Sequence, residues 1–167
     1  MATTYKGSIG IQLLGLMQKD LDIGSARLDV NYAKKFSVAN GTGAEQANMI
    51  WTDTRTISAS SADDLDLYGG LTNAFGDVIN FANVKGIFVF AAAANTNDVV
   101  IGNDGTAPIN FGVTTNVINV KPGGMFCLYD PALNGYTVTN TTADVLQIAN
   151  GGSGTSVTYD IIVFGEV

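Results

Sequence analysis

The sequence predicts an all-β fold, an antiparallel β-sandwich or jelly roll preceded by a strand-rich N-terminal arm. Three observations carry this. Runs of β-branched and aromatic residues recur at roughly ten-residue spacing, as sandwich strands do. Asn-Gly and Asp-Gly pairs, the dipeptides of tight turns, lie between them at Asn40-Gly41, Asp104-Gly105, Asn134-Gly135 and Asn150-Gly151. Almost no segment carries the 3.6-residue periodicity of a helix. A chain of 167 residues suits one domain, and the expected division is an arm or hairpin over residues 1–40 and a sandwich over 41–167.

The first forty residues are strand-like but poor in long hydrophobic runs. Ile9–Met17 is apolar, broken by Gln12 and Gly15, and its flanks do not suit a signal segment. Arg27–Tyr32 alternates polar and apolar with period two, and Lys34–Val38 continues with Phe36 and Val38 on one face. An arm resting on something else has this pattern. So do the edge strands of a sandwich. After the Asn40–Gly43 turn, Thr42 and Glu45 have the spacing of a capping box, which predicts one or two helical turns over Ala44–Met49. Gly41-Thr42-Gly43 does not extend to a nucleotide-binding loop, since Gln46 stands where glycine is needed and no Lys-Ser/Thr pair follows.

Ile50–Ser58 and Asp64–Tyr68 alternate, and Asp77–Phe81 leads into the central stretch, Val84–Ala94. Alternation places Val84, Phe88 and Phe90 on one side and Ile87, Val89 and Ala91 on the other. A strand apolar on both sides belongs inside a sandwich. Asp98–Gly102 reads as its return partner. Further strands are expected at Asn116–Val120, Met125–Tyr129, Tyr136–Thr139 and Val145–Ala149. Gly151–Thr155 reads as a hairpin loop before the last strand, Ser156–Phe164, whose Val157, Tyr159, Ile161 and Val163 share a face.

Charge is divided along the chain. Up to Ala62 six basic residues oppose five acidic ones, a balance of +1. From Asp63 onward only Lys85 and Lys121 oppose ten acids, a balance of −8. An acidic body of this kind repels nucleic acid. The longest apolar run, Ile87–Ala94, is far short of the roughly 20 residues a membrane helix needs.

Little in the sequence supports catalysis. There is no histidine, which removes Ser-His-Asp and Cys-His machinery and His-ligated metals. The lone Cys127 allows no internal disulfide and reads as a small buried hydrophobe. A glycosidase needs only two carboxylates. However, Asp64 and Asp66 of the Asp63-Asp64-Asp66 group alternate with Leu65 and Leu67, as a solvated strand face does. Asn95, Asn97, Asp98, Asn103 and Asp104 offer oxygens to calcium but lack the spacing of a helix-loop-helix site, and turn chemistry accounts for them. Trp51, the only tryptophan, is either an anchor for a partner's pocket or core packing at the sandwich edge.

Taken in order, several segments bring a resemblance: Trp51–Thr56 (WTDTRT), Ser60–Leu67 (SSADDLDL), Leu71–Gly76 (LTNAFG), Val84-Lys85, Ala92–Asn97 (AAANTN), Val120–Gly124 (VKPGG), Gly135–Val138 (GYTV) and Gly152–Asp160 (GSGTSVTYD). Over roughly residues 36 to 167 the chain resembles capsid decoration (cement) proteins of tailed bacteriophages with a jelly-roll fold. The resemblance implies a structural virion protein, made in the host cytoplasm, that binds and stabilises the outer capsid surface. Its partners would be the major capsid protein and its own copies, usually as a homotrimer, with no cofactor, nucleic acid or membrane. The residues up to Phe36 fall outside the resemblance. The contacts expected from the cations and the apolar N-terminal run are Ile9, Ile11, Leu13, Arg27, Lys34 and Lys35, with Trp51 as an anchor. The alternative is a fibre or spike module binding host surface carbohydrate, with Tyr129 and Tyr136 as its aromatic residues.

Overall fold

The computed structural model describes residues 4–102 and 117–167, which form strands and turns with no helix among them. The strands are β1 (Gly7–Asp20), β2 (Ser25–Asn40), β3 (Gln46–Ala47), β4 (Met49–Ile57), β5 (Ala62–Asp66), β6 (Tyr68–Thr72) and β7 (Val78–Asn80). There follow β8 (Asn83–Ala91), β9 (Val99–Ile101), β10 (Ile118–Val120), β11 (Met125–Tyr129), β12 (Tyr136–Thr137), β13 (Val145–Asn150) and β14 (Val157–Glu166).

Eight of them build a two-sheet sandwich. One sheet runs β11-β8-β14-β4, with β12 added beside the start of β8, and the other runs β10-β9-β13-β5; every pairing is antiparallel. In chain order the eight strands lie as first-eighth-third-sixth and second-seventh-fourth-fifth. That order is a jelly roll. Of the consecutive sandwich strands, only β9 and β10 belong to the same sheet. Two sequence expectations change for this reason. Val99–Ile101 is not the return partner of the central strand: it crosses to the opposite sheet, and β8 is flanked by β14 and β11. Likewise the Gly151–Thr155 loop carries the chain from one sheet to the other instead of closing a hairpin. The Asp104-Gly105 turn, with Asn103 and Asn116, lies outside the described residues.

The core fills the space between the sheets. Leu65, Ile87, Val89, Ile101, Leu146 and Ile148 are fully buried there, together with the expected row Val157, Tyr159, Ile161 and Val163 of β14. The central strand keeps its interior place but not its simple alternation. Phe164 of β14 faces Gly86 while the next residue, Gly165, faces Val84, so Lys85 is an extra residue in β8. This bulge turns Val84 to the same side as Ile87, into the core. Phe88 and Phe90 are half-buried on the outer side. Glycine is required at position 86, where an added Cβ would lie 2.2 Å from the Phe164 ring.

The bulged Lys85 is itself buried, with 1% of its surface exposed. Its ammonium donates to the carbonyls of Ala132 (2.5 Å) and Leu133 and lies 3.5 Å from Glu166 Oε1, which also accepts from Asn83 Nδ2 at 2.6 Å. The cation thus ties the loop after β11 to the end of β14.

Two local expectations are corrected. Ala44–Met49 forms no helical turn: Glu45 adopts φ 56° and Gln46–Ala47 joins the end of β2 as a parallel strand. The Glu45 amide donates to the Pro131 carbonyl at 2.8 Å instead of starting a helix. Cys127 is exposed, because its β11 position points out of the sandwich while Phe126 and Leu128 pack inward.

Candidate functional site

Outside the two sandwich sheets lie the short β6–β7 hairpin and the long hairpin of β1 and β2. The strands of the long hairpin pair over 14 residues from Gly7↔Val38 to Asp20↔Ser25, about 45 Å at a strand's usual rise. The tip closes through the Leu21 amide on the Gly24 carbonyl (3.0 Å), with Gly24 at φ +85° and Ile23 96% exposed. From Gly10 to Lys35 every residue is exposed.

The register sorts the side chains into two unlike faces. Opposed residues share a face, so one side carries Ile9 and Phe36, Ile11 and Lys34, Leu13 and Tyr32, Gly15 and Val30, and Met17 and Leu28, ending at Lys19 and Ala26. The other carries Ser8 and Ser37, Gly10 and Lys35, Gln12 and Ala33, Gln18 and Arg27, and Asp20 and Ser25. Leu14 and Leu16 are the large apolar residues on this second face. The first face is a nearly continuous apolar stripe, with Leu13 61% and Met17 66% exposed. A lone two-stranded ribbon is at best marginally stable in water, and beyond its base this one has no cover along its apolar side among the described residues.

At its base the stripe is covered, and what covers it is informative. The outer surface of the β11-β8-β14-β4 sheet is arranged in rows across the strands. One row is Tyr129, Gly86, Phe164 and Ile50; the next is Cys127, Phe88, Ile162 and Thr52; the third is Met125, Phe90, Asp160 and Thr54. The arm seats on the first row. Tyr5 stacks on Phe164 (centroids 6.1 Å), Phe36 tilts against Tyr129 (5.2 Å), and Val38, Ile9 and Ala47 complete the cluster. Burial raises the Tyr5 and Tyr129 phenol pKa values above their ordinary range; the neighbouring Tyr129 adds to the effect at Tyr5, and Glu45 and Asp130 add to it at Tyr129. In the second row Phe88 is half-buried and stacks on Phe164 (5.8 Å); the arm covers no more of the second and third rows, and Met125 is 68% exposed.

The expected contact residues divide accordingly. Ile11, Leu13, Lys34 and Lys35 stand exposed on the arm, and Ile9 lies at its seated base. Lys34 Nζ lies 5.5 Å from the Phe36 ring centroid. Arg27 is engaged within the arm, holding both Asp29 carboxylate oxygens at 2.8–3.0 Å. Trp51 is no anchor for a partner: at 6% exposure it faces inward from β4 and packs in the core. Tyr129 is half-covered by Phe36 and Phe164, and Tyr136 packs against the core. Neither supplies an open aromatic platform for sugar.

The carboxylates form a structural ion-pair group. Asp63 receives the Arg55 guanidinium at both oxygens and the Tyr159 hydroxyl at 2.9 Å, and Asp53 accepts from Arg55 at 2.9 Å. Asp53, Arg55 and Asp63 line an open groove of about 380 Å³ with Thr54, Thr56 and Ser58. Burial by itself would raise the Asp63 pKa, but the hydrogen bonds from Arg55 and Tyr159 prevail and hold it below the usual carboxylate range. The bond to Asp63 raises the Arg55 pKa, while burial and then the bond to Asp63 raise that of Tyr159. A glycosidase acid must stay protonated near neutrality, and Asp63 is held the opposite way. Asp64 accepts from Gln147 Nε2 (2.8 Å) and Asp66 from the Tyr68 amide (2.8 Å), consistent with a solvated strand edge.

The proposed calcium oxygens are similarly engaged. Asn95 exchanges two 2.8 Å bonds with the Thr158 backbone, Asn97 donates to Asn150 and Thr155, and Asp98 pairs with Lys121 at 2.7 Å. Asn103 and Asp104 lie outside the described residues. No group of three or more acidic or cysteine side chains suited to a metal occurs among the described residues. Family models, curated proteins and solved structures all fail to match the chain.

Proposed function

We propose that this chain is a structural virion protein that decorates and stabilises the outer surface of a tailed-phage capsid, with the β1–β2 arm as its assembly element. The observation that carries the reading is the arm: an apolar ribbon held out from a well-packed sandwich and left uncovered. Burial of a large apolar side chain contributes roughly 1.5–3 kcal/mol. Ile11, Leu13, Met17, Leu28, Val30 and Tyr32 are all available on the stripe. Exposed ion pairs contribute about 0–1 kcal/mol each, so the arm's lysines orient a contact that its apolar face drives.

The sequence resemblance supplies the kind of assembly, a phage head, and the homotrimer is proposed on the same ground. A jelly roll suits such a role because its rigid sheets leave loops, edges and arms free for contacts. Charge divides in the same way, with residues 1–40 at +2 and residues 41–167 at −9. Deleting residues 1–35 and adding the truncated chain to undecorated heads tests the reading. The expected result is a folded sandwich that no longer decorates heads, seen as lost density in a cryo-electron reconstruction. Normal decoration by the truncated chain overturns it.

A further inference from the structure

We infer that the arm of one copy lies across the open rows of the outer sheet of a second copy of this chain. The inference deepens the assembly reading above by naming the arm's partner, and it holds for any assembly in which copies adjoin. Two observations carry it. First, the arm's stripe already rests on this surface within its own chain: Tyr5, Ile9 and Phe36 cover the row of Tyr129 and Phe164. The adjoining rows continue the same chemistry: Phe88, which stacks on Phe164 at the edge of the covered cluster, Phe90 and Ile162 are half-buried, and Cys127 and Met125 are exposed. The rest of the stripe therefore matches a surface that every further copy presents.

Charge supplies the second observation. The cations on the stripe are Lys34 and Lys19, one near each end, and neither forms an ion pair among the described residues. The acid on the receiving rows is Asp160, exposed and bound on one oxygen by the Thr54 hydroxyl at 2.6 Å. An apolar strip flanked by ammonium groups thus meets an apolar field bearing one carboxylate. The arm's stripe does not offer its own kind such a match, since stripe against stripe opposes lysines to lysines.

The native thiol provides the test, because Cys127 is the chain's single cysteine and stands in the second row. Leu13→Cys and Met17→Cys, made separately, place a second thiol on the stripe. Under mild oxidation the purified variants should form disulfide-linked multimers on a non-reducing gel, lost when Cys127→Ser is added. Wild type should remain unlinked, its Cys127 being covered by a neighbour's arm. Trp51 fluorescence confirms folding of each variant. Three results overturn the inference: wild type linking through Cys127, which means that sheets meet directly; linking that survives Cys127→Ser, which means that arms pair with arms; or no linking by either variant. The last leaves the arm to another shell protein, and the head-decoration experiment can still succeed in that case.

Discussion

Lys85→Met removes one ammonium from the centre of the fold, and its cost follows from what the ammonium holds. The carbonyls of Ala132 and Leu133 lose their donor, and Glu166, 5% exposed, keeps Asn83 but loses its cation. Methionine fills similar volume, so the loss is electrostatic and hydrogen-bonding in kind. Removing one partner of a buried pair costs about 3–5 kcal/mol, against a total stability of about 5–15 kcal/mol. With an unfolding entropy of about 2.1 cal/mol/K per residue, a chain of this length has about 0.35 kcal/mol/K, so Tm should fall by about 10 °C. Thermal and urea unfolding followed by Trp51 fluorescence give the measurement, since Trp51 is buried in the core. Lys85→Met combined with Glu166→Leu should recover part of the loss by removing the stranded carboxylate. A loss under about 1 kcal/mol for Lys85→Met alone would refute the argument, because it would mean that water or the loop replaces the ammonium at little cost.

The two faces of β8 make a second prediction: Val89→Asp should abolish folding, because it places an unpaired charge in the closed core. Phe88→Asp should stay soluble and melt cooperatively, because position 88 faces outward; equal damage from both would refute the assigned faces. For Asp63 the sign follows from its depressed pKa. The folded state binds its proton less readily than the unfolded chain, so the stabilisation is present above the unfolded value of about 3.9 and is lost as pH falls through the folded value. Asp63→Asn should therefore lower Tm near neutrality, with the gap from wild type closing in acid; a gap unchanged by pH would refute the pairing with Arg55.

Alternation revealed the faces wherever the strand was regular. In β14 the row Val157, Tyr159, Ile161 and Val163 lies in the core as its period-two pattern indicates. In β8 the same rule failed for Val84 because one inserted residue reverses every side chain before it. Gly86 within an apolar run was the available sign, since glycine in a strand interior often marks a bulge. The arm was harder to read for a different reason. Ile9, Ile11, Leu13 and Met17 do alternate, but Leu14 and Leu16 on the opposite face make the segment look like one continuous run. The apolar neighbours of Cys127 suggest burial, but apolar neighbours do not mean burial on a sheet whose outer surface is itself apolar. The Lys85–Glu166 pair joins residues far apart in the chain, and no local pattern announces it.

The charge of the chain sets a condition on any assembly of its copies, and salt exposes it. Each copy carries −7. A domain of this size has a radius of gyration of about 15 Å, so adjoining centres lie about 40 Å apart. At that distance two such charges in water repel by about 5 kcal/mol before screening. A Debye length of about 30 Å at 0.01 M salt reduces this to about 1 kcal/mol, and about 8 Å at 0.15 M removes nearly all of it. Association driven by the apolar stripe should therefore tighten by roughly five- to tenfold between these salt concentrations. Association held mainly by Lys34 and Lys19 on acidic groups would respond in the opposite sense, because salt screens those attractions too. Sedimentation equilibrium at both salt concentrations separates the two. Weaker association at the higher salt would refute apolar docking and make the lysines the principal attachment.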